Sequence, residues 1–168
     1  MKKLNFDSDK CMDCGLCELA CSLAHSNGKD IVDCLCEFEK LPSRIEIRKD
    51  GVNCIEARYC HRCEYPACVE ICIMGAIHNK DGCISYDTEK CAACWSCIMA
   101  CPFDSIKAKD DGQATVRCDG CKDWSNPVCS AICPTGALYF EDVEKLTSKR
   151  RKAYGKHLSL QFDVNDII

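Results

Sequence analysis

The chain has 168 residues, a mild formal net charge of −4, and 20 cysteines against only two tryptophans and five phenylalanines. So few large apolar side chains make a poor core, and disulfides or metal sites must supply the cohesion. No apolar run approaches the ~20 residues of a membrane-spanning helix, and once the charge of metal-bound thiolates is counted the chain is acidic enough to be a poor partner for nucleic-acid phosphates.

The N-terminal M-K-K-L-N-F-D-S-D-K has no apolar stretch, twin arginine or small-residue cleavage site. It does not read as a signal peptide, so the expected location is cytoplasmic, where thiols stay reduced and open to metal. Residues 3–6 predict a strand. Cys11, Cys14, Cys17 and Cys21 follow at spacing C-x2-C-x2-C-x3-C. Leu16, Leu19, Ala20 and Leu23 recur at helical spacing, which predicts a helix of two or three turns here and in each later C-x3-C segment. Strands over 44–48 and 52–57 flank the turn pair Asp50-Gly51. The second run is Cys60, Cys63, Cys68 and Cys72, with a four-residue gap in its middle. A strand over 83–86 follows the turn pair Asp81-Gly82.

The third run, Cys91, Cys94, Cys97 and Cys101, repeats the first spacing. Strands over 106–108 and 115–117 lie either side of Asp111-Gly112. The fourth run, Cys118, Cys121, Cys129 and Cys133, has a seven-residue gap holding Trp124 and Pro127, which reads as a loop insertion. A strand over 137–140 closes the series, and the cysteine-free remainder begins with the basic T-S-K-R-R-K. Every run ends in C-x3-C, and three continue alike, as I-M-G-A-I, P-F-D-S-I and P-T-G-A-L. This is an internal repeat of one structural module.

Disulfide geometry needs two facing cysteines with Cα atoms roughly 4.4–6.8 Å apart, whereas these runs point three nearby thiols into one loop. Structural zinc commonly pairs two C-x2-C knuckles across a gap of about a dozen residues. Three thiolates from one loop match three corners of an iron–sulfur cubane instead, and C-x2-C-x2-C-x3-C is a strong signal for it. If four cubanes bind sixteen thiolates, they add roughly −8 to the chain's charge. Two other readings stay open: a zinc-stabilised interaction or nucleic-acid-binding module, and a secreted disulfide scaffold.

C-A-A-C-W-S-C-I-M-A-C-P-F at 91–103 resembles a bacterial ferredoxin motif. The ordered set of four runs resembles the four-cluster ferredoxin-like electron-transfer subunits of formate dehydrogenases, dimethyl sulfoxide reductase and formate hydrogenlyase. C-E-L-A-C-S-L-A-H with S-R-I-E-I downstream is most similar to the subunits serving carbon monoxide dehydrogenase and tungsten aldehyde oxidoreductases. The resemblance covers roughly residues 1–141. It implies an α+β fold of two bacterial dicluster ferredoxin-like domains, the inner one (51–111) inserted in the outer one (1–50 plus 112–145). Residues 146–168 then form a C-terminal extension for docking or partner contact.

The resemblance also implies four [4Fe–4S] clusters in which fourth cysteines are exchanged. Cys11, Cys14 and Cys17 take Cys133, and Cys118, Cys121 and Cys129 take Cys21. Cys60, Cys63 and Cys68 take Cys101, and Cys91, Cys94 and Cys97 take Cys72. The implied role is non-catalytic: a small subunit in a hetero-oligomer, relaying electrons between the large catalytic subunit of an anaerobic oxidoreductase and a second carrier. Ser22 and Ile73 stand where Pro102 and Pro134 follow the other two runs. That loss is expected to bend a local segment without removing a ligand.

Cys34, Cys36, Cys54 and Cys83 fall outside the runs and read as small packed thiols, with a fifth metal site or a redox-active thiol as the alternative. His25 and His61 read as hydrogen-bonding or packing neighbours of the clusters, not ligands. Tyr65, Trp95 and Trp124 are expected to shield clusters from water. Lys149, Arg150, Arg151 and Lys152 read as a solvated basic face, with docking of an acidic partner as the functional alternative. There is no Gly-rich phosphate loop, G-x-S-x-G or H-E-x-x-H, so no catalytic residue is assigned.

Overall fold

A computed structural model describes residues 2–26, 43–50, 54–80, 83–108, 114–116, 118–121 and 124–161. Cys34, Cys36 and residues 162–168 lie outside the described residues, as do Gly51, Gly112 and the turn pair Asp81-Gly82. The described strands are β1 (Lys2–Phe6), β2 (Glu46–Asp50), β3 (Cys54–Arg58), β4 (Ile77–Lys80), β5 (Cys83–Tyr86), β6 (Lys107–Ala108), β7 (Ala114–Val116) and β8 (Leu138–Asp142). The helices are α1 (Leu16–Ala24), α2 (Ala67–Glu70), α3 (Ser96–Ala100), α4 (Val128–Ile132) and α5 (Val143–Gln161), with a 3-10 turn at Ser8–Lys10.

Among the described residues the strands form four antiparallel pairs: β1–β8, β2–β3, β4–β5 and β6–β7. The first and last strands meet in register, Lys2 opposite Asp142 and Phe6 opposite Leu138. Helix α1 packs against α4, and α2 against α3. The sequence missed β4 because Ile77-His78-Asn79-Lys80 shows little alternation; it forms by pairing with β5. It also missed α5, whose Lys, Arg and Glu residues are good helix formers without an apolar stripe. The Asp142 carboxylate accepts from the Glu144 amide at 3.0 Å and opens that helix.

The expected two to three turns hold for α1, with nine residues, while α2, α3 and α4 have only four or five. Cys101 and Cys133 precede prolines and are extended, with ψ of 113° and 111°. A pre-proline residue is driven out of the helical region, so the helix ends there. Cys21 precedes Ser22 instead, and α1 runs on to Ala24. Three runs share a further turn, in which the third residue after the last cysteine (Gly75, Asp104 or Gly136) has positive φ. Its amide donates back to that cysteine's carbonyl at 3.0–3.3 Å. In the first run that position is Ala24, inside the helix.

Among the described residues two small apolar cores result, and both are built around cysteines. One gathers Cys17, Cys21, Ile45, Tyr59, Cys129 and Leu138, with Leu4, Phe6, Ile47, Ala57, Cys118 and Cys133 at its edge. The other gathers Cys68, Ile77, Ile84, Cys97 and Ile106, with Cys60, Val69, Cys72, Tyr86, Cys91, Ile98 and Cys101 around them. The chain passes from one core to the other between Tyr59 and Cys60. The boundary drawn from sequence between residues 50 and 51 thus falls inside the β2–β3 hairpin, whose Ile47 and Ala57 share the first core.

Candidate metal centres

In each run the residue before the second cysteine is left-handed: Asp13 (φ 56°), Arg62 (φ 48°), Ala93 (φ 52°) and Gly120 (φ 74°). This conformation curls the backbone so that successive amides can face one concavity, a nest suited to an anion such as an iron–sulfur centre. For the three non-glycine residues it costs of order 1 kcal/mol or more each, a strain that persists where a site requires it. Gly15 and Trp95 repeat it one residue after the second cysteine.

The sixteen run cysteines are all free thiols. Cys11, Cys14, Cys17 and Cys133 line one cavity, closed on its other sides by Phe6, Ile47 and Leu138. Burial pushes the Cys129 thiol far above its ordinary range, and nearby Cys118, Cys21 and Cys121 push it further. Burial lifts Cys118 to about 11, aided by Cys21 and Cys60, and lifts Cys17 to about 11 as well. Burial also raises Cys63, with Cys60 and Cys101 adding to it. Cys97 is raised by burial, with Cys72 and Cys91 beside it. Each such group would be a costly cluster of thiolates unless a cationic core compensated it, and metal binding displaces those protons. The donor set and the nests fit cubanes. Cys129, beyond the loop insertion, is 5% exposed and sits with its run.

Among the described residues, hydrogen-bond contacts reach the sulfurs of the run-ending Cys21, Cys101 and Cys133. Cys21 Sγ accepts from the Arg44 amide at 3.4 Å, Cys101 Sγ lies 3.2 Å from Ser105 Oγ, and Cys133 Sγ lies 3.7 Å from Thr135 Oγ1. Such contacts tune cluster potential. Around Cys21 they extend into an ionic network. His25, placed just past the longer α1, donates through Nδ1 to the Cys21 carbonyl at 2.7 Å and through Nε2 to Asp119 at 3.2 Å. Arg44 pairs with the other Asp119 oxygen, and the Cys121 amide donates to Asp119 at 2.9 Å. The Asp119 bond, with bonds to Cys121 and Cys21, holds the His25 pKa up to about 12. Burial pushes Asp119 up, but bonds from His25 and the Cys121 amide, with Arg44 close by, outweigh it and keep the carboxyl well below its usual range.

His25, Asp119 and Cys121 also come close enough to hold an ion. The imidazole has no lone pair to offer, because both its nitrogens are donating. Asp119 and Arg44 went unseen in the sequence; only the placing of Asp119 inside C-D-G-C hinted at it.

His61 is a packing residue. It stacks between Tyr59 (ring centroids 4.6 Å apart) and Phe103 (4.0 Å), and burial, with Lys3 nearby, lowers its pKa. Of the rings expected to shield the clusters, Tyr65 is 81% exposed, Trp95 50% and Trp124 56%. Among the described residues Tyr59 is a buried ring, at 4%. Cys54 opens β3 and Cys83 opens β5. Lys149, Arg150, Arg151 and Lys152 lie exposed on α5. Among the described residues no helix is long and apolar enough to cross a membrane.

A family model described as a 4Fe-4S dicluster domain matches residues 52–143. The B subunit of the anaerobic dimethyl sulfoxide reductase of Haemophilus influenzae is 34% identical over 166 residues, covering 92% of this chain and 78% of that protein. The electron transport protein HydN of Escherichia coli is 32% identical over 165 residues, covering 87% and 93%. Among solved structures, the active-site complex BamBC of benzoyl coenzyme A reductase contains a polypeptide at TM-score 0.45 and 22% identity, covering 99% of this chain and 94% of that one.

Proposed function

The chain belongs to the 4Fe-4S dicluster domain family of iron–sulfur electron-transfer subunits, and on that footing we propose that it carries four [4Fe–4S] clusters. In this reading Cys11, Cys14, Cys17 and Cys133 hold one, and Cys21, Cys118, Cys121 and Cys129 another. Cys60, Cys63, Cys68 and Cys101 hold the third, and Cys72, Cys91, Cys94 and Cys97 the fourth. The observation that carries the reading is the single cavity lined by three thiols of the first run and the last thiol of the fourth. It is supported by the thiol neighbours of Cys129, Cys63 and Cys97. The two cores then correspond to an outer ferredoxin-like unit and an inner one inserted after Tyr59.

Each bound cluster supplies one-electron chemistry. The protein's own part is to shape four amide nests, to exclude water around Cys17, Cys21, Cys121 and Cys129, and to place hydrogen bonds on the run-ending sulfurs. Cys118 of the fourth run and Cys60 of the second are electrostatic neighbours and line one cleft, so the clusters held by these two loops would be the ones through which the outer and inner units meet. We read the chain as a non-catalytic cytoplasmic subunit between the large catalytic subunit of an anaerobic oxidoreductase and a second carrier. The name of the dimethyl sulfoxide reductase relative supports a catalytic partner.

Anaerobic purification tests this. The protein should be brown, with about 16 iron and 16 sulfide per chain and reductive EPR of several interacting centres. A colourless zinc protein, or fewer than about 14 iron per chain, would overturn the four-cluster reading.

A further inference from the structure

Arg62 and Gly120 occupy the same place in two different loops, each the left-handed residue between the first two cysteines of its run. The Arg62 side chain leaves its own loop and lies across Gly120. A Cβ added to Gly120 would run into Nη2 and Cζ of Arg62. The φ of 74° favours glycine there, and any larger side chain would have to displace the guanidinium. Both residues line one cleft with Cys60 and Cys63 of the second run and Cys118 of the fourth. The other arginines of this region are answered by carboxylates: Arg44 by Asp119, Arg48 by Glu46 and Arg58 by Asp104. Arg62 is half-buried, and no carboxylate among the described residues pairs with it. A guanidinium never gives up its proton in a protein, so a fixed positive charge stands at the joint between two cysteine loops.

We propose that Arg62, seated on Gly120, is the electrostatic bridge of the step between the outer and inner cluster pairs. It is a positioning residue shared by the centre of Cys60, Cys63, Cys68 and Cys101 and the centre of Cys21, Cys118, Cys121 and Cys129. The inference rests on the four-cluster reading above. Two anionic centres side by side repel, and adding an electron to either increases the repulsion. A half-buried cation between them, only partly screened by water, offsets that cost for both and raises both potentials. It reaches Gly120 through Nη2 of a rigid fork, a shape that an ammonium on a flexible stem does not reproduce.

The test is an EPR-monitored redox titration of the anaerobically purified holoprotein, with iron content measured alongside, for wild type, Arg62→Gln, Arg62→Lys, Gly120→Ala and the cleft control Arg58→Gln. Arg62→Gln should retain about 16 iron and make two of the four couples harder to reduce, by about tenfold in the equilibrium or 59 mV for one electron. Arg62→Lys should move the same two couples less. Gly120→Ala, which lifts the charge off its seat, should move them in the direction of Gln, and Arg58→Gln should leave them in place. Four unchanged couples in Arg62→Gln, an equal shift of all four, or equal effects of Lys and Gln would overturn the proposal. If Arg62→Gln loses clusters, Gly120→Ala decides: the same two couples must fall, and their constancy refutes the bridge. A wild-type protein short of iron refutes the four-cluster reading instead, so the two failures are distinct.

Discussion

Pairs of cysteine substitutions separate exchanged from self-contained clusters by arithmetic. Cys11, Cys14, Cys17 and Cys133 line one cavity, while Cys21 neighbours Cys118 and Cys129. Each centre uses four thiolates and holds four iron atoms, so losing one ligand endangers one centre. Cys11→Ser alone should lower iron from about 16 to about 12 per chain. Adding Cys133→Ser removes a second ligand of the same centre, and iron should stay near 12. Adding Cys21→Ser instead damages a second centre, and iron should fall to about 8. If a damaged centre keeps three irons, the values become about 15, 15 and 14, and the pattern is unchanged. The assay is colorimetric iron and sulfide on anaerobically purified protein, with EPR to detect three-iron signals. The self-contained alternative predicts the reverse: Cys11 with Cys21 non-additive, Cys11 with Cys133 additive. That outcome would refute the exchange, and with it the inference drawn from the shared cavity.

Ser22→Pro, which restores the residue found after Cys101 and Cys133, should end α1 early and cost about 3 kcal/mol; it should also pull His25 off Asp119, visible as a changed histidine resonance with iron content held. Tyr59→Phe removes the hydroxyl that donates to the Leu4 carbonyl at 3.2 Å and should cost about 0.5–1.5 kcal/mol in denaturant resistance. Glu46 joins β2 to β6 through Lys107 at 2.7 Å and also meets Arg48 at 2.7 Å. Burial raises its pKa, but hydrogen bonds from Lys107 and Arg48 outweigh that and hold it below 4.5. The carboxylate therefore stabilises the fold above its unfolded pKa, and the contribution is lost as pH falls through the folded value. Thermal melts should place Glu46→Gln below wild type by about 0.2–1 kcal/mol at neutral pH, the gap closing as acid protonates the carboxylate; a gap that widens in acid would contradict the sign.

What the sequence determined alone was the chemistry of the sites, because cluster ligation is local. Three cysteines two to four residues apart in the first three runs must share a loop whatever the rest of the chain does, and the prolines after Cys101 and Cys133 end their helices by a clash with the preceding residue. Even the missing proline was legible as a departure, though the two runs without it differ: α1 runs on past Cys21, while α2 stops at Glu70 before Cys72. The grouping of fourth cysteines came with the family resemblance. Its geometric support depends on α1 packing against α4 and on β1 pairing with β8, contacts between the two ends of the chain. Tertiary structure alone decided the charges around the clusters. Asp119 meets His25 across 94 residues and Arg44 across 75, and Arg62 meets Gly120 from another run. No periodicity marks such pairs, since a long side chain finds its partner through the path of the folded backbone and not through its place in a motif.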